Sequence, residues 1–157
     1  MSDRTKDPSS DRREGSSSSV PQHDENVLQV AVGALMVAAA QMDGDFDASE
    51  RRKILELLRR RFGLTPELGA AALEASEAAL AKAGVIHRFT AVVKTSFSGS
   101  ERADLLAMLF EVVFADSVVH GHEASVLRHL ARELDISDDD YRECRERITT
   151  RLGLQDS

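Results

Sequence analysis

Four carboxylates occupy matched positions in two parts of the sequence and together could bind a cation. Glu50 lies seven residues after Asp43, and Glu123 lies seven residues after Asp116. Clustered carboxylates repel one another unless a positive charge lies between them, and oxygen-rich sites suit Ca²⁺, Mg²⁺ or Mn²⁺ in preference to Zn²⁺. The spacing therefore makes Asp43, Glu50, Asp116 and Glu123 candidate ligands of a divalent metal ion.

These carboxylates belong to an internal repeat. The segment Ala38 to Leu64 aligns with Glu111 to Ile136, which is one residue shorter, so that Ile54 matches Leu127. In both copies an apolar helix is predicted to end at an Asp, and a Glu follows in the first turn of the next helix. Such a helix–turn–helix unit leaves one apolar face uncovered. We therefore expect two pseudo-symmetric halves that share one core.

Apolar residues at helical spacing predict an all-α bundle of about seven helices. The first helix should run from Glu25 to a stop at Asp43-Gly44, and the fifth should continue to about Asp116. Asp47 with Glu50, and Ser98 with Glu101, match the capping box that begins a helix. The fourth helix contains several β-branched residues, which lower helix propensity, so we expect part of it to be irregular. The remaining predicted boundaries are Gly63, Thr65-Pro66, Gly84 and Ser137.

Length and composition place these helices in one folded domain. The chain has 157 residues and a formal net charge of −7, which argues against nucleic-acid binding because phosphate contacts depend on Lys and Arg. Residues 1–24 are rich in Ser and charge and are expected to form a disordered tail before a domain at 25–153. The apolar run Val27 to Ala40 is too short for membrane insertion. With a single cysteine and no signal-peptide pattern, a cytoplasmic location is expected.

The carboxylates also have an explanation that involves no metal. Glu50 and Glu123 lie where a capping box and the helix dipole favour acidic residues, and Asp43 before Gly44 is common in turns. A calcium loop of the EF-hand type is excluded, because its sixth position would be Ala48 and its twelfth Ile54. Asp45 and Asp47 remain additional candidate ligands in the first half only. No zinc, di-iron, phosphate-loop or nucleophile motif is recognisable, so an enzyme is not expected.

A family resemblance rests on two segments. MDGDFDASERRKILELLRRRFGL and the later FADSVVHGHEASVLRHLARELDIS, separated by a region with HRFTAVV, resemble TerB-like domains associated with tellurite resistance, including bacterial relatives and the domain that precedes the J-domain in DjlA-type co-chaperones. The resemblance covers Asn26 to Arg151. It implies a helical bundle of two similar halves, with a metal site at Asp43, Glu50, Asp116 and Glu123. The second copy departs from the family pattern, since Ser117 replaces the usual Gly and the following loop is His-rich.

Three hypotheses follow from the sequence. The first is a non-enzymatic module that binds a divalent cation and acts in a bacterial stress response. The second is a protein-interaction or co-chaperone-like adaptor, in which the carboxylates are caps and an unknown protein partner binds the tail or the basic second helix, which carries Arg51, Arg52, Lys53 and Arg59 to Arg61. The third is a hydrolase-like enzyme with a carboxylate-bound metal that activates water.

Overall fold

In the computed structural model the described residues are 22–42, 46–83, 86–115 and 123–153, and within them the protein is entirely helical apart from turns and connecting segments. This confirms the predicted all-α fold with seven helices. Residues 1–21 of the predicted tail, the stop at Asp43-Gly44, Gly84 and the loop that holds Asp116 lie outside the described residues. Residues 22–24 of that tail belong to α1, which begins three residues before the predicted start at Glu25. The helices are α1 (Gln22–Met42), α2 (Ala48–Phe62), α3 (Pro66–Ala83), α4 (His87–Ser96), α5 (Gly99–Val113), α6 (Glu123–Glu133) and α7 (Asp138–Leu152).

Helix α1 is the central helix of the bundle. Every residue from Ala31 to Ala40 is buried, and α1 contacts α2, α3, α4, α5 and α6. A helix that is apolar on all sides is stable only when other elements surround it, which explains the unbroken apolar run in this part of the sequence. In the described part of the chain, none of the helices has the length and apolarity needed to cross a membrane.

Helices α1 and α3 approach each other closely at Gly33 and Ser76. A Cβ atom added to Gly33 would lie 2.1 Å from Ser76 Oγ, so only glycine fits at this position. Ser76 is fully buried, and its hydroxyl donates a hydrogen bond of 2.7 Å to the carbonyl of Ala72 in the preceding turn. The two small residues therefore allow α3 to lie directly against the central helix.

The internal repeat is supported by burial at the matched positions. Ile54 and Leu57 on α2 are 0% and 1% exposed, and their counterparts Leu127 and Leu130 on α6 are both 0% exposed. The helices that open the two units, α1 and α5, also contact each other. The two halves therefore contribute to one core, as the repeat predicted.

Two helices differ from their predicted form. Helix α4 is regular from His87 to Ser96, because burial of Phe89 and Val93 outweighs the low propensity of its β-branched residues. Helix α5 ends at Val113, three residues before the predicted limit, and Phe114 follows it in a turn while remaining 3% exposed. The apolar sequence continued past the helix end because the turn is itself buried.

Candidate metal site

Glu50 lies at the start of α2 and closes the predicted capping box. Asp47 Oδ1 accepts a hydrogen bond from the backbone N–H of Glu50 at 2.9 Å, and Glu50 Oε1 accepts one from the N–H of Asp47 at 3.2 Å. Each side chain thus satisfies a backbone donor that the first turn of a helix leaves without a partner. The capping role assigned to Glu50 is therefore confirmed.

Capping does not account for the burial of Glu50. Glu101 occupies the same position in the capping box of α5, where its carboxylate accepts the N–H of Ser98 at 2.9 Å. The side chain of Glu101 is 43% exposed, whereas Glu50 is only 2% exposed. A buried carboxylate needs more compensation than a single neutral hydrogen bond supplies, and Glu50 has a further interaction within the protein. Glu50 is therefore a buried carboxylate in the first turn of α2, the helix that follows the α1–α2 connection.

The other three predicted ligands cannot be placed relative to Glu50. Asp43 and Asp116 lie outside the described residues, in the connections that follow α1 and α5. Glu123 is the first residue of α6, but the position of its side chain is not described. Within the described part of the chain, no group of three or more His, Cys, Asp or Glu side chains is arranged to hold a metal ion. The four-carboxylate site remains a prediction.

Asp47 acts as a helix cap. The backbone N–H of Glu50 lowers the pKa of the Asp47 carboxyl below its usual value, and the hydroxyl of Ser49, which donates to Oδ1 at 2.9 Å, lowers it further. Asp47 is exposed, in contrast to Glu50. Its ionised form is thus stabilised by the helix start itself, and it needs no cation for that purpose. Asp45, the other additional candidate, lies outside the described residues.

The basic side chains of α2 are engaged mainly within the protein. Arg51 pairs with Glu77, Lys53 and Arg60 pair with Glu56, and Arg61 pairs with Glu101. Arg59 donates to the carbonyl of Leu64 at 3.2 Å. Most of this positive charge is therefore balanced locally, as expected for a solvated helix face with charge pairs. The paired state weakens the hypothesis that α2 docks an acidic partner.

Two other residues, Cys144 and His87, have side chains that could take part in chemistry. In each case neighbouring groups explain where the side chain lies. Cys144 is 4% exposed, and burial raises the pKa of its thiol to about 11, so the thiol stays protonated and unreactive near neutral pH. The sequence around His87 and Phe89 predicts that both pack in the core or at its boundary. The His87 side chain is instead 73% exposed and contacts Glu133 at 3.2 Å. That interpretation of His87 was wrong, because the ring turns outward to a carboxylate on α6. Phe89, interpreted in the same way, is buried.

Sequence reasoning missed a buried carboxylate on α5. The Glu111 side chain is 9% exposed, and its Oε2 lies 2.7 Å from Arg151 on α7 and 3.7 Å from Arg60 on α2. The repeat offered no signal for this cluster, because Glu111 matches Ala38 in the first copy. The ion pairs join three helices of the bundle, and this gives Glu111 a structural role.

The fold and the helix starts define a compact helical domain with two related halves. A family model described as "Tellurite resistance protein TerB" matches residues 29–146. The chain therefore belongs to the TerB family, as the sequence resemblance indicated. Searches of curated proteins and of solved structures each returned no match.

Proposed function

We propose that this TerB-family domain is a non-enzymatic module that binds one divalent cation through carboxylates of both halves. Its ligands are Asp43, Glu50, Asp116 and Glu123, and the preferred ion is Ca²⁺, Mg²⁺ or Mn²⁺. The observation that carries the proposal is the burial of Glu50, which is 2% exposed in the first turn of α2, whereas Glu101, the equivalent capping residue of α5, is half-buried and paired with Arg61. The family membership supports the same site.

The chemistry of the proposed site follows from charge. Four carboxylates brought together would repel strongly, and a divalent cation would convert this repulsion into attraction. Because the ligands come from the connections of both halves, the ion would link α1 and α2 to α5 and α6. We infer that the ion stabilises the module and performs no chemistry on a substrate. The proposed cellular role is cytoplasmic, in a stress response for which the tellurite label of the family is the starting point.

Thermal unfolding of the metal-stripped protein tests this proposal. Ca²⁺, Mg²⁺, Mn²⁺ and Zn²⁺ are titrated separately into the wild type and into Asp43→Asn and Asp116→Asn variants. An ion at a hundred times its Kd should stabilise the domain by about 2.7 kcal/mol, a rise of several degrees in Tm, and each variant should lose that rise. Asp104→Asn, an exposed position on α5, is the matched control and should keep it.

Each alternative outcome has a definite meaning. If no ion raises the Tm of the wild type, the carboxylates are helix caps and turn residues, and the adaptor hypothesis replaces the metal hypothesis. If the Tm still rises in both Asp variants, the ion binds elsewhere and the site shared by the halves is wrong. The adaptor hypothesis has less support at present, since the basic residues of α2 are largely paired within the protein.

A further inference from the structure

An apolar cavity opens at the end of the bundle where α1 begins. It has a volume of about 490 Å³ and lies between the first half of α1, the end of α3 and α4. Ala31 and Phe89 are its buried lining residues, and Val27, Val30 and Val92 also line it while remaining partly or fully exposed. Small-molecule sites in proteins are concave, mostly apolar and of roughly 300–1,000 Å³. The cavity therefore has the size and lining of a ligand site.

Among the lining residues that the structure describes, the two charged ones are both cationic. Lys82, near the end of α3, and Arg88, in the first turn of α4, are exposed. Neither forms an ion pair with any residue that the structure describes, whereas most of the basic residues on α2 do. Two cations without an ion pair in the described part of the chain, beside an apolar cavity in a protein of net charge −7, complement a ligand that has an apolar body and an anionic group.

The shape and chemistry of the lining narrow the choice of ligand. Its apolar side chains are Val and Ala, with Phe89 as the single aromatic ring among the lining residues. Asn26, the remaining polar residue, already has an interaction within the protein. A sugar, base or peptide would require several directional donors and acceptors, which this lining does not offer. A flexible aliphatic chain requires none of these groups.

The N-terminal segment of the chain does not meet these requirements. Residues 1–21 include Met1 and Val20 as their aliphatic residues, and their acidic and basic residues are equal in number. Such a segment has too little apolar surface to fill the cavity and no net charge to attract the two cations. The complementary occupant is therefore an external molecule.

We propose that this cavity binds a single-chain fatty acid, with the alkyl chain against α1 and α4 and the carboxylate near Lys82 and Arg88. The cavity lies around Val27 and Val30, whereas the proposed metal ligand Asp43 follows the opposite end of α1. The separation along the helix is about 20 Å at 1.5 Å per residue. Fatty-acid binding and metal binding are therefore independent and can fail separately.

The test uses the full chain in metal-free buffer, with the fluorescent polyunsaturated acid cis-parinaric acid as the probe. Saturable fluorescence enhancement is expected, and dodecanoate below its micellar concentration should displace the probe more effectively than dodecanol of the same chain length. Lys82→Gln and Arg88→Gln should each weaken dodecanoate about two- to fivefold, as expected for exposed charges, and should leave dodecanol unchanged. Arg147→Gln, an exposed cation on α7, is the matched control.

A cavity-filling variant tests the location independently. Ala83 is half-buried in the lining, and Ala83→Phe should abolish probe binding while circular dichroism and Tm show that the domain remains folded. If Ala83→Phe unfolds the domain, Lys82→Gln and Arg88→Gln still test whether the carboxylate binds at this cavity. Equal displacement by dodecanoate and dodecanol, or no response to Lys82→Gln and Arg88→Gln, would overturn the proposal. Binding to phosphatidylglycerol vesicles without binding of the monomeric acid would also overturn it, in favour of a membrane surface.

Discussion

Asp47 and Glu50 exchange hydrogen bonds at the start of α2, each accepting the backbone N–H of the other residue, at 3.2 Å for the N–H of Asp47 and 2.9 Å for that of Glu50. This reciprocal arrangement fixes the Glu50 side chain before any ligand arrives. A carboxylate has two oxygen atoms and about four lone-pair directions, so the capping bond does not by itself prevent metal coordination. Capping and metal binding are therefore compatible in Glu50, and substitution can separate them.

Glu50→Gln separates the two roles. Glutamine keeps the amide oxygen that a capping box requires but removes the negative charge that a cation requires. The variant should retain the helical content of the wild type and lose most of the Tm increase caused by the preferred ion. Glu101→Gln makes the same change in the capping box of α5 and should keep the full increase. Equal responses to the ion in Glu50→Gln and in the wild type would show that Glu50 only caps the helix.

Asp47 should contribute to the dependence of stability on pH. Because the backbone N–H of Glu50 holds the Asp47 pKa below its usual 3.8, the folded state favours the ionised carboxylate. That stability is complete above the unfolded pKa and is lost as the pH falls through the folded pKa. Urea unfolding at pH 7, 4 and 3 should show declining stability, and Asp47→Asn should reduce the decline. A variant that loses stability as steeply as the wild type over this range would contradict the role of Asp47.

Gly33 should be essential for the contact between α1 and α3. In Gly33→Ala the new methyl group would lie within 2.9 Å of both side-chain atoms of Ser76, so the helices must move apart at a cost of about 1–3 kcal/mol. Adding Ser76→Ala removes the nearer atom and should recover part of this loss in urea unfolding. Gly99→Ala is the control, because its new methyl group would lie 3.6 Å from the Arg102 side chain, an ordinary contact distance. A Gly33→Ala protein as stable as the wild type would contradict the close approach.

Arg151 should stabilise the buried carboxylate of Glu111. Arg151→Ala would leave Glu111, within the described part of the chain, with the longer ion pair of 3.7 Å to Arg60. We expect a loss of about 1 kcal/mol, because Arg151 is 56% exposed and solvent screens the pair. Glu111→Met combined with Arg151→Met should restore stability, since it removes both charges. Arg147→Ala, on the same helix, should change the free energy of unfolding by less than about 0.5 kcal/mol. If Arg151→Ala and Arg147→Ala lower the free energy of unfolding equally, Arg151 does not stabilise the Glu111 carboxylate.

Local sequence signals predicted the helix starts well. A capping box involves residues three positions apart, so Asp47 and Ser98 identified the starts of α2 and α5 without any knowledge of tertiary structure. Burial at repeated positions was also predictable, because Ile54 and Leu127 follow the apolar period of each helix. These signals were sufficient to predict an all-α bundle.

Contacts between distant parts of the chain could not be predicted in this way. The environment of Glu111 depends on arginines 51 residues earlier and 40 residues later in the sequence, and a single sequence does not show which helices meet. The end of α5 was misplaced because the apolar pattern continues through Phe114, which is buried in a turn. The outward position of His87 depends in the same way on Glu133 of another helix.

The number of Mn²⁺ ions bound per chain tests the central claim most directly. Electron paramagnetic resonance counts free Mn²⁺ in equilibrium with metal-stripped protein, and the measurement is repeated for Asp43→Asn, Asp116→Asn and the control Asp104→Asn. The shared site predicts one tightly bound ion in the wild type and the control, and none in either of the other variants. Two ions per chain, with one lost in each variant, would show separate sites in the two halves. No bound ion in the wild type would contradict the proposed function.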